Sequence, residues 1–130
     1  MLPLWQNKTL SPYIAMADYK VSSHDQVKII EIAGRIDPAD WKQLKETLDQ
    51  VTQDPKSFVV IDLSQLTYIA SSGFRELFLA ARKVKRAEGD MAVCGLQGEI
   101  KRVFDLAGVG AALSVYDDQA AAVAALKAGA

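Results

Sequence analysis

The stretch "YIASSGFREL", residues 68–77, places two hydroxyls and a glycine between an apolar run and a helical pattern, with Arg75 close behind. Serines before an amphipathic helix are favoured caps, and such a cap stabilises a helix by about 1 kcal/mol. A full capping box would set Glu or Gln three residues after the cap, but Phe74 and Arg75 stand there. Arg75 also puts a positive charge in the first helical turn, where the helix dipole disfavours it unless an anion is near. A phosphate on Ser71 or Ser72 would be such an anion, with close to two negative charges beside free backbone N–H groups. Capping and phosphoryl acceptance are therefore the two chemistries open to this pair.

Other chemistry finds little material. One His and one Cys without paired spacing argue against a zinc site, and so against a metal cofactor. A Ser/His/Asp triad would have to recruit His24 from a probable turn, and neither G-x-S-x-G nor P-loop nor G-x-G-x-x-G is present. The glycines at 108–110 follow a helix and read as a stop. Asp62 ends "VVID", where a parallel-strand aspartate can hold a phosphoryl group in receiver domains. The acidic pair and the lysine that such domains also need are missing from "EIAGRID" and "ALSVYDDQ". The chain reads as a binding protein and not an enzyme.

The elements that must position these residues follow from periodicity. Residues 17–21 and 27–33 read as two strands joined by a turn, a hairpin. Asp37 is placed to cap a helix over 38–52 with Pro38 at its first position, and Trp41, Leu44, Leu48 and Val51 recur at helical spacing. "SFVVIDL" suits a strand covered on both faces. From Ser72 to about Arg86, Phe74, Leu77, Phe78, Ala81 and Val84 define an amphipathic helix stopped near Gly89. "MAVCGL" and "ALSVYD" read as strands. "GEIKRVFDLAGV" and "DDQAAAVAALKAG" read as helices, the last with acid at its start and lysine near its end. Strand and helix alternate through the second half, which implies right-handed parallel crossovers added to a hairpin: an α/β sheet of mixed direction.

Composition sets the class. In 130 residues with half of them apolar and a net charge of -1, the expectation is one domain with no overall bias toward nucleic acid or anionic membrane. A lone Cys94 in an apolar run suits a reduced, buried thiol and a cytoplasmic setting. Residues 1–15 lack a basic leader, and prolines and polar residues interrupt their apolar positions, so they read as an arm or extension and not as a signal peptide or membrane span. Met16 is an alternative start. Arg82, Lys83, Lys85 and Arg86 form a basic stretch, either a solvated face that complements the helix dipole or a docking patch for an acidic partner.

Taken together and in order, "GRID" at 34–37, "VVIDLSQLTYIASSGFREL" at 59–77, "GDMAVCGL" at 89–96 and "IKRVFDLAGV" at 100–109 resemble the STAS domain family, most closely the bacterial anti-sigma factor antagonists. The resemblance runs from about residue 17 to the end, so residues 16–130 are expected to form a STAS domain with a mixed sheet and four helices. It implies a protein that binds an anti-sigma factor serine kinase, is phosphorylated by it, and is restored by a PP2C-type phosphatase. By position the acceptor is Ser71, and the partner-binding residues are Arg35, Asp37, Ala70, Ser71, Ser72, Gly73 and Arg75. Family members typically carry Asp where Ala70 stands and Glu where Arg35 stands, so both changes remove negative charge around the acceptor. The alternative is a constitutive STAS subunit of a transporter or stress-signalling assembly, with the Leu/Trp/Tyr arm packed on another chain.

Overall fold

The computed structural model describes residues 17–107 and 113–130. The arm expected over residues 1–15 and the glycine stop at 108–110 lie outside these. The strands are β1 (Asp18–His24), β2 (Val27–Ile36), β3 (Phe58–Ile69), β4 (Asp90–Cys94) and β5 (Ser114–Tyr116). The helices are α1 (Trp41–Val51), α2 (Ser71–Arg86), α3 (Gly98–Ala107) and α4 (Gln119–Gly129). The strands lie in the order β1-β2-β3-β4-β5; β1 and β2 form the antiparallel hairpin and every later pairing is parallel. The mixed-direction sheet and four helices are as the sequence predicts.

Side-chain alternation splits the apolar strand residues between two faces. Ile30, Ile32, Val59, Ile61, Leu63, Met91 and Val93 pack with Leu44, Leu48, Leu77, Ala81, Ile100 and Phe104 from α1, α2 and α3. Val27, Ile29, Phe58, Val60, Ala92 and Cys94 face Ala122, Val123 and Leu126 of α4 on the other side. Burial pushes the Cys94 thiol up to about 12, with Asp62, Asp118 and Glu31 adding to it, so the sulfur stays protonated at neutral pH and is no nucleophile.

Three elements differ from their sequence readings. The segment after Asp37 opens as a single 3₁₀ turn over Pro38–Asp40 before α1 starts at Trp41; the Asp37 N–H donates to Asp40 Oδ2 at 2.8 Å and the Asp40 N–H to the Asp37 carbonyl at 2.9 Å. β3 runs six residues beyond "SFVVIDL", to Ile69. It does so because its pairing with β2 slips twice, between Glu31 and Ala33 and between Gly34 and Arg35, with an extra β3 residue accommodated each time. Each bulge shifts the inward set, so Leu63, Leu66 and Ile69 all face the same core at intervals of three instead of two. The third difference, at the start of α2, belongs to the site.

One polar tie holds α4 to the sheet. Glu31, Asp62 and Cys94 lie in one row across neighbouring strands, and Gln119 Nε2 donates to Glu31 Oε1 at 3.0 Å and to Asp62 Oδ2 at 2.9 Å. The second Asp62 oxygen accepts the Ser64 N–H at 2.9 Å. Gln119→Leu would leave two partly buried carboxylates facing each other without their shared donor. It is expected to lower the free energy of unfolding in urea by about 1–3 kcal/mol; an unchanged midpoint would show the bridge to be dispensable.

Candidate functional site

The site forms where β2 and β3 end side by side. Gly34 sits at φ 94, a left-handed backbone that favours glycine, next to the second register slip. The extra residue, Thr67, turns its hydroxyl onto the Gly34 carbonyl at 2.9 Å. Beyond this bulge Arg35 pairs with Tyr68, and the guanidinium lies 4.5 Å from the centre of the Tyr68 ring while donating to Asp37 Oδ1 at 3.0 Å. Tyr68 is thus the platform for Arg35. The sequence reading missed it, and the only available signal was an aromatic residue at an exposed strand end.

The chain then turns into α2. The Ala70 N–H donates to the Ile36 carbonyl at 2.8 Å, which pins the helix start to the end of β2. Ala70, and neither serine, occupies the N-cap; its extended backbone (φ -73, ψ 158) carries no side-chain acceptor for the first turn. Of the two chemistries open to the serine pair, capping is not the one found: both serines are already helical, because Gly73 lets the first turn settle directly on the strand ends. A Cβ built on Gly73 would lie 2.7 Å from Ile36 Cγ2 and 3.2 Å from Ile69 Cγ1.

The two hydroxyls consequently differ. Ser72 Oγ donates to the Pro38 carbonyl at 3.2 Å and ties α2 to the 3₁₀ turn. Ser71 is exposed and its hydroxyl has no hydrogen-bond partner among the described residues. The first intrahelical bond is that of the Phe74 N–H to the Ala70 carbonyl at 3.0 Å, so the N–H groups of Ser71, Ser72 and Gly73 find no carbonyl within the helix. Arg75, four residues after Ser71 in α2, is exposed and without an ion pair among the described residues.

Arg35, Asp37, Ala70, Ser71, Ser72 and Gly73 are thus brought together by the ends of two parallel strands and one helix. Arg75 lies one helical turn on. Phe74 packs away from the surface, its ring centre 4.6 Å from that of Phe104. Asp37, the one carboxylate in this set, is committed to Arg35, and no basic or carboxylate side chain among the described residues hydrogen-bonds the Ser71 hydroxyl. The arrangement presents a hydroxyl to an external reagent and does not activate it. Asp62, the other phosphoryl candidate, has both oxygens engaged by Ser64 and Gln119. No group of three metal-ligating side chains is present among the described residues, and no helix among them is long and apolar enough to cross a membrane.

Comparison with known proteins agrees with this geometry. The STAS domain profile matches residues 18–122. BtrV of Bordetella bronchiseptica, assigned as an anti-sigma factor antagonist, is 30% identical over 103 residues, which cover 79% of this chain and 89% of that protein. The anti-sigma F factor antagonist of Paenibacillus polymyxa is 23% identical over 109 residues, covering 83% and 93%. Among solved structures, an anti-sigma factor antagonist from Mycobacterium paratuberculosis superposes with a TM-score of 0.77 at 25% identity, over 88% of this chain and 97% of that one. With a matching profile over most of its length, the chain belongs to the STAS domain family, and the three relatives above are anti-sigma factor antagonists of that fold.

Proposed function

We propose that this protein is a non-enzymatic binding switch: it docks an anti-sigma factor of the serine kinase type through the surface around Ser71, and phosphorylation of Ser71 ends the contact. A PP2C-type phosphatase would reset it, in the cytoplasm. The observation that carries the reading is the division of labour between the two serines. Ser72 is spent on the Pro38 carbonyl, whereas Ser71 is exposed and unbonded at a helix start whose own N–H groups are free. Ala70, at the N-cap, has no side chain to occupy those groups. An Asp at that N-cap would satisfy first-turn N–H groups, and an Ala forgoes about 1 kcal/mol of that stabilisation and leaves them open to an incoming anion.

Unmodified, the site offers small groups and backbone to a partner: Ser71, Ser72, Gly73 and the Arg35–Asp37 pair, with Arg75 at the margin. Modified, the same centre carries a doubly charged, strongly hydrated phosphate that must be stripped of water for the partner to stay. No change of fold is needed for release.

The test is to incubate the purified chain with ATP and the serine kinase anti-sigma factor encoded near it, then measure intact mass and map the modified residue. A single added phosphoryl group on Ser71, lost in Ser71→Ala and retained in Ser72→Ala, is the expected result. An unmodified chain that still binds its partner would replace the switch by the constitutive-subunit reading, which Ala70 in place of the family's Asp favours. An acid-labile label on Asp62 would overturn both.

A further inference from the structure

Helix α2 does not end its surface chemistry at the serines. Ser71–Arg86 carries Arg75, Arg82, Lys83, Lys85 and Arg86 against Glu76 alone, in a chain whose total charge is -1. The helix dipole accounts for a preference for cations in the last turn, worth a few tenths of a kcal/mol each, but it makes no demand for an apolar side chain among them. Leu79 is such a side chain, 43% exposed on the same face. A shallow groove of about 340 Å³ runs along one side of it, lined by Arg82, Lys83, Arg86 and Ala87. On its other side a second groove of about 200 Å³ is lined by Lys45, Leu48, Asp49, Glu76, Ala80 and Lys83.

The anions within reach are largely taken. Asp49 is held by Lys45 at 2.8 Å and approached by Lys83 at 4.0 Å. Arg82 lies 5.9 Å from the centre of the Phe78 ring, which holds its guanidinium over the helix surface. Lys85 and Arg86 make no ion pair among the described residues. An apolar knob beside cations of which Arg82 and Arg86 have no carboxylate partner among the described residues, while Lys83 shares Asp49 and donates to Thr52 Oγ1 at 3.5 Å, is poorly matched to water and well matched to an acidic surface with an apolar socket.

We infer that the second half of α2, Leu79 with Arg82, Lys83 and Arg86, is a docking patch for a protein surface that is acidic and takes Leu79 into an apolar socket. The patch rests on the Ser71 reading only for which protein docks there. From Ser71 to Arg82 is eleven residues of helix, about 16 Å. That is about twice the screening length of about 8 Å at physiological salt, so a phosphate on Ser71 acts on Arg75 and leaves the far end of the patch un-neutralised and attractive. The helix therefore divides its work: the cations set how fast and how salt-dependently a partner arrives, and the Ser71 end sets how long it stays.

The full chain, isotope-labelled, can be titrated with a synthetic amphipathic helical peptide bearing a Glu-rich face and a Leu stripe, with its Lys-for-Glu counterpart, and with phosphatidylglycerol vesicles. The acidic peptide is expected to shift the amides of Leu79, Arg82, Lys83 and Arg86, with an affinity that falls at least about tenfold between about 50 and about 300 mM salt. Arg82→Glu with Arg86→Glu, both at exposed positions, should abolish these shifts, Leu79→Ser should weaken binding at all salt concentrations, and the charge-matched control Lys101→Glu with Arg102→Glu on α3 should change neither. Shifts scattered over the surface, equal response to both peptides, no response, or preference for the vesicles would each overturn the patch. Since the peptides do not depend on Ser71, their binding without any binding of the anti-sigma factor would sink the functional reading alone.

Discussion

Ser71→Asp is expected to weaken binding of the anti-sigma factor about 100-fold or more, equivalent to about 3 kcal/mol, while leaving the domain slightly more stable. The two effects have opposite sign for one physical reason. A carboxylate at the first position of α2 meets free N–H groups and the positive end of the helix dipole, which stabilises the isolated domain by about 0.3–1 kcal/mol. Those same groups hold the charge at the middle of the proposed docking surface, where a partner would have to desolvate it. Ser72→Asp offers the contrast. Its hydroxyl already serves the Pro38 carbonyl, an acceptor that a carboxylate would face as another acceptor, so the expected result is a loss of stability with no cleaner loss of binding than Ser71→Asp gives. Urea denaturation and titration calorimetry on both variants separate the cases. Ser71→Asp with undiminished affinity would remove Ser71 from the interface.

How far the sequence led can be judged from particular residues. The hairpin, the parallel order and the helices were legible because their apolar residues keep a clean period: Val59 and Ile61 against Phe58 and Val60, and Leu44, Leu48 and Val51 along α1. The second half of β3 was not, since each bulge inserts a residue and breaks the alternation that marks a strand. The same bulges hid Tyr68, whose ring, 39% exposed, carries Arg35. Ser71 and Ser72 were correctly placed at a helix start, but residue type alone left capping open as one of their two roles. Cap preference is a local statement, whereas the helix begins at Ala70 because of a contact between elements, Gly73 against Ile36 and Ile69. Chemistry near Ser71 was visible in residue type, and its geometry depended on strand register that no local pattern encodes.

That contact carries the second large prediction. Gly73→Ala places a methyl 2.7 Å from Ile36 Cγ2, on a side chain that is itself fully buried and stiff because it branches at Cβ. Neither the β2 end nor the first turn of α2 can yield freely, because the Ala70–Ile36 and Ser72–Pro38 hydrogen bonds join them. The substitution is expected to lower the free energy of unfolding by about 1–3 kcal/mol. Because relief requires the helix start to lift off the strands, it should also displace the Ser71 hydroxyl by a fraction of an ångström and slow the proposed phosphorylation by about tenfold, less than the roughly 100-fold that a 1 Å misplacement can cost. Ile36→Leu moves the branch away from Cβ at nearly constant volume, so the double variant should lose less stability than the two single changes summed, by about 0.5–1 kcal/mol or more. If Gly73→Ala proved neutral and the pair additive, the close approach of α2 to the strand ends would no longer explain why the two serines fall inside the helix.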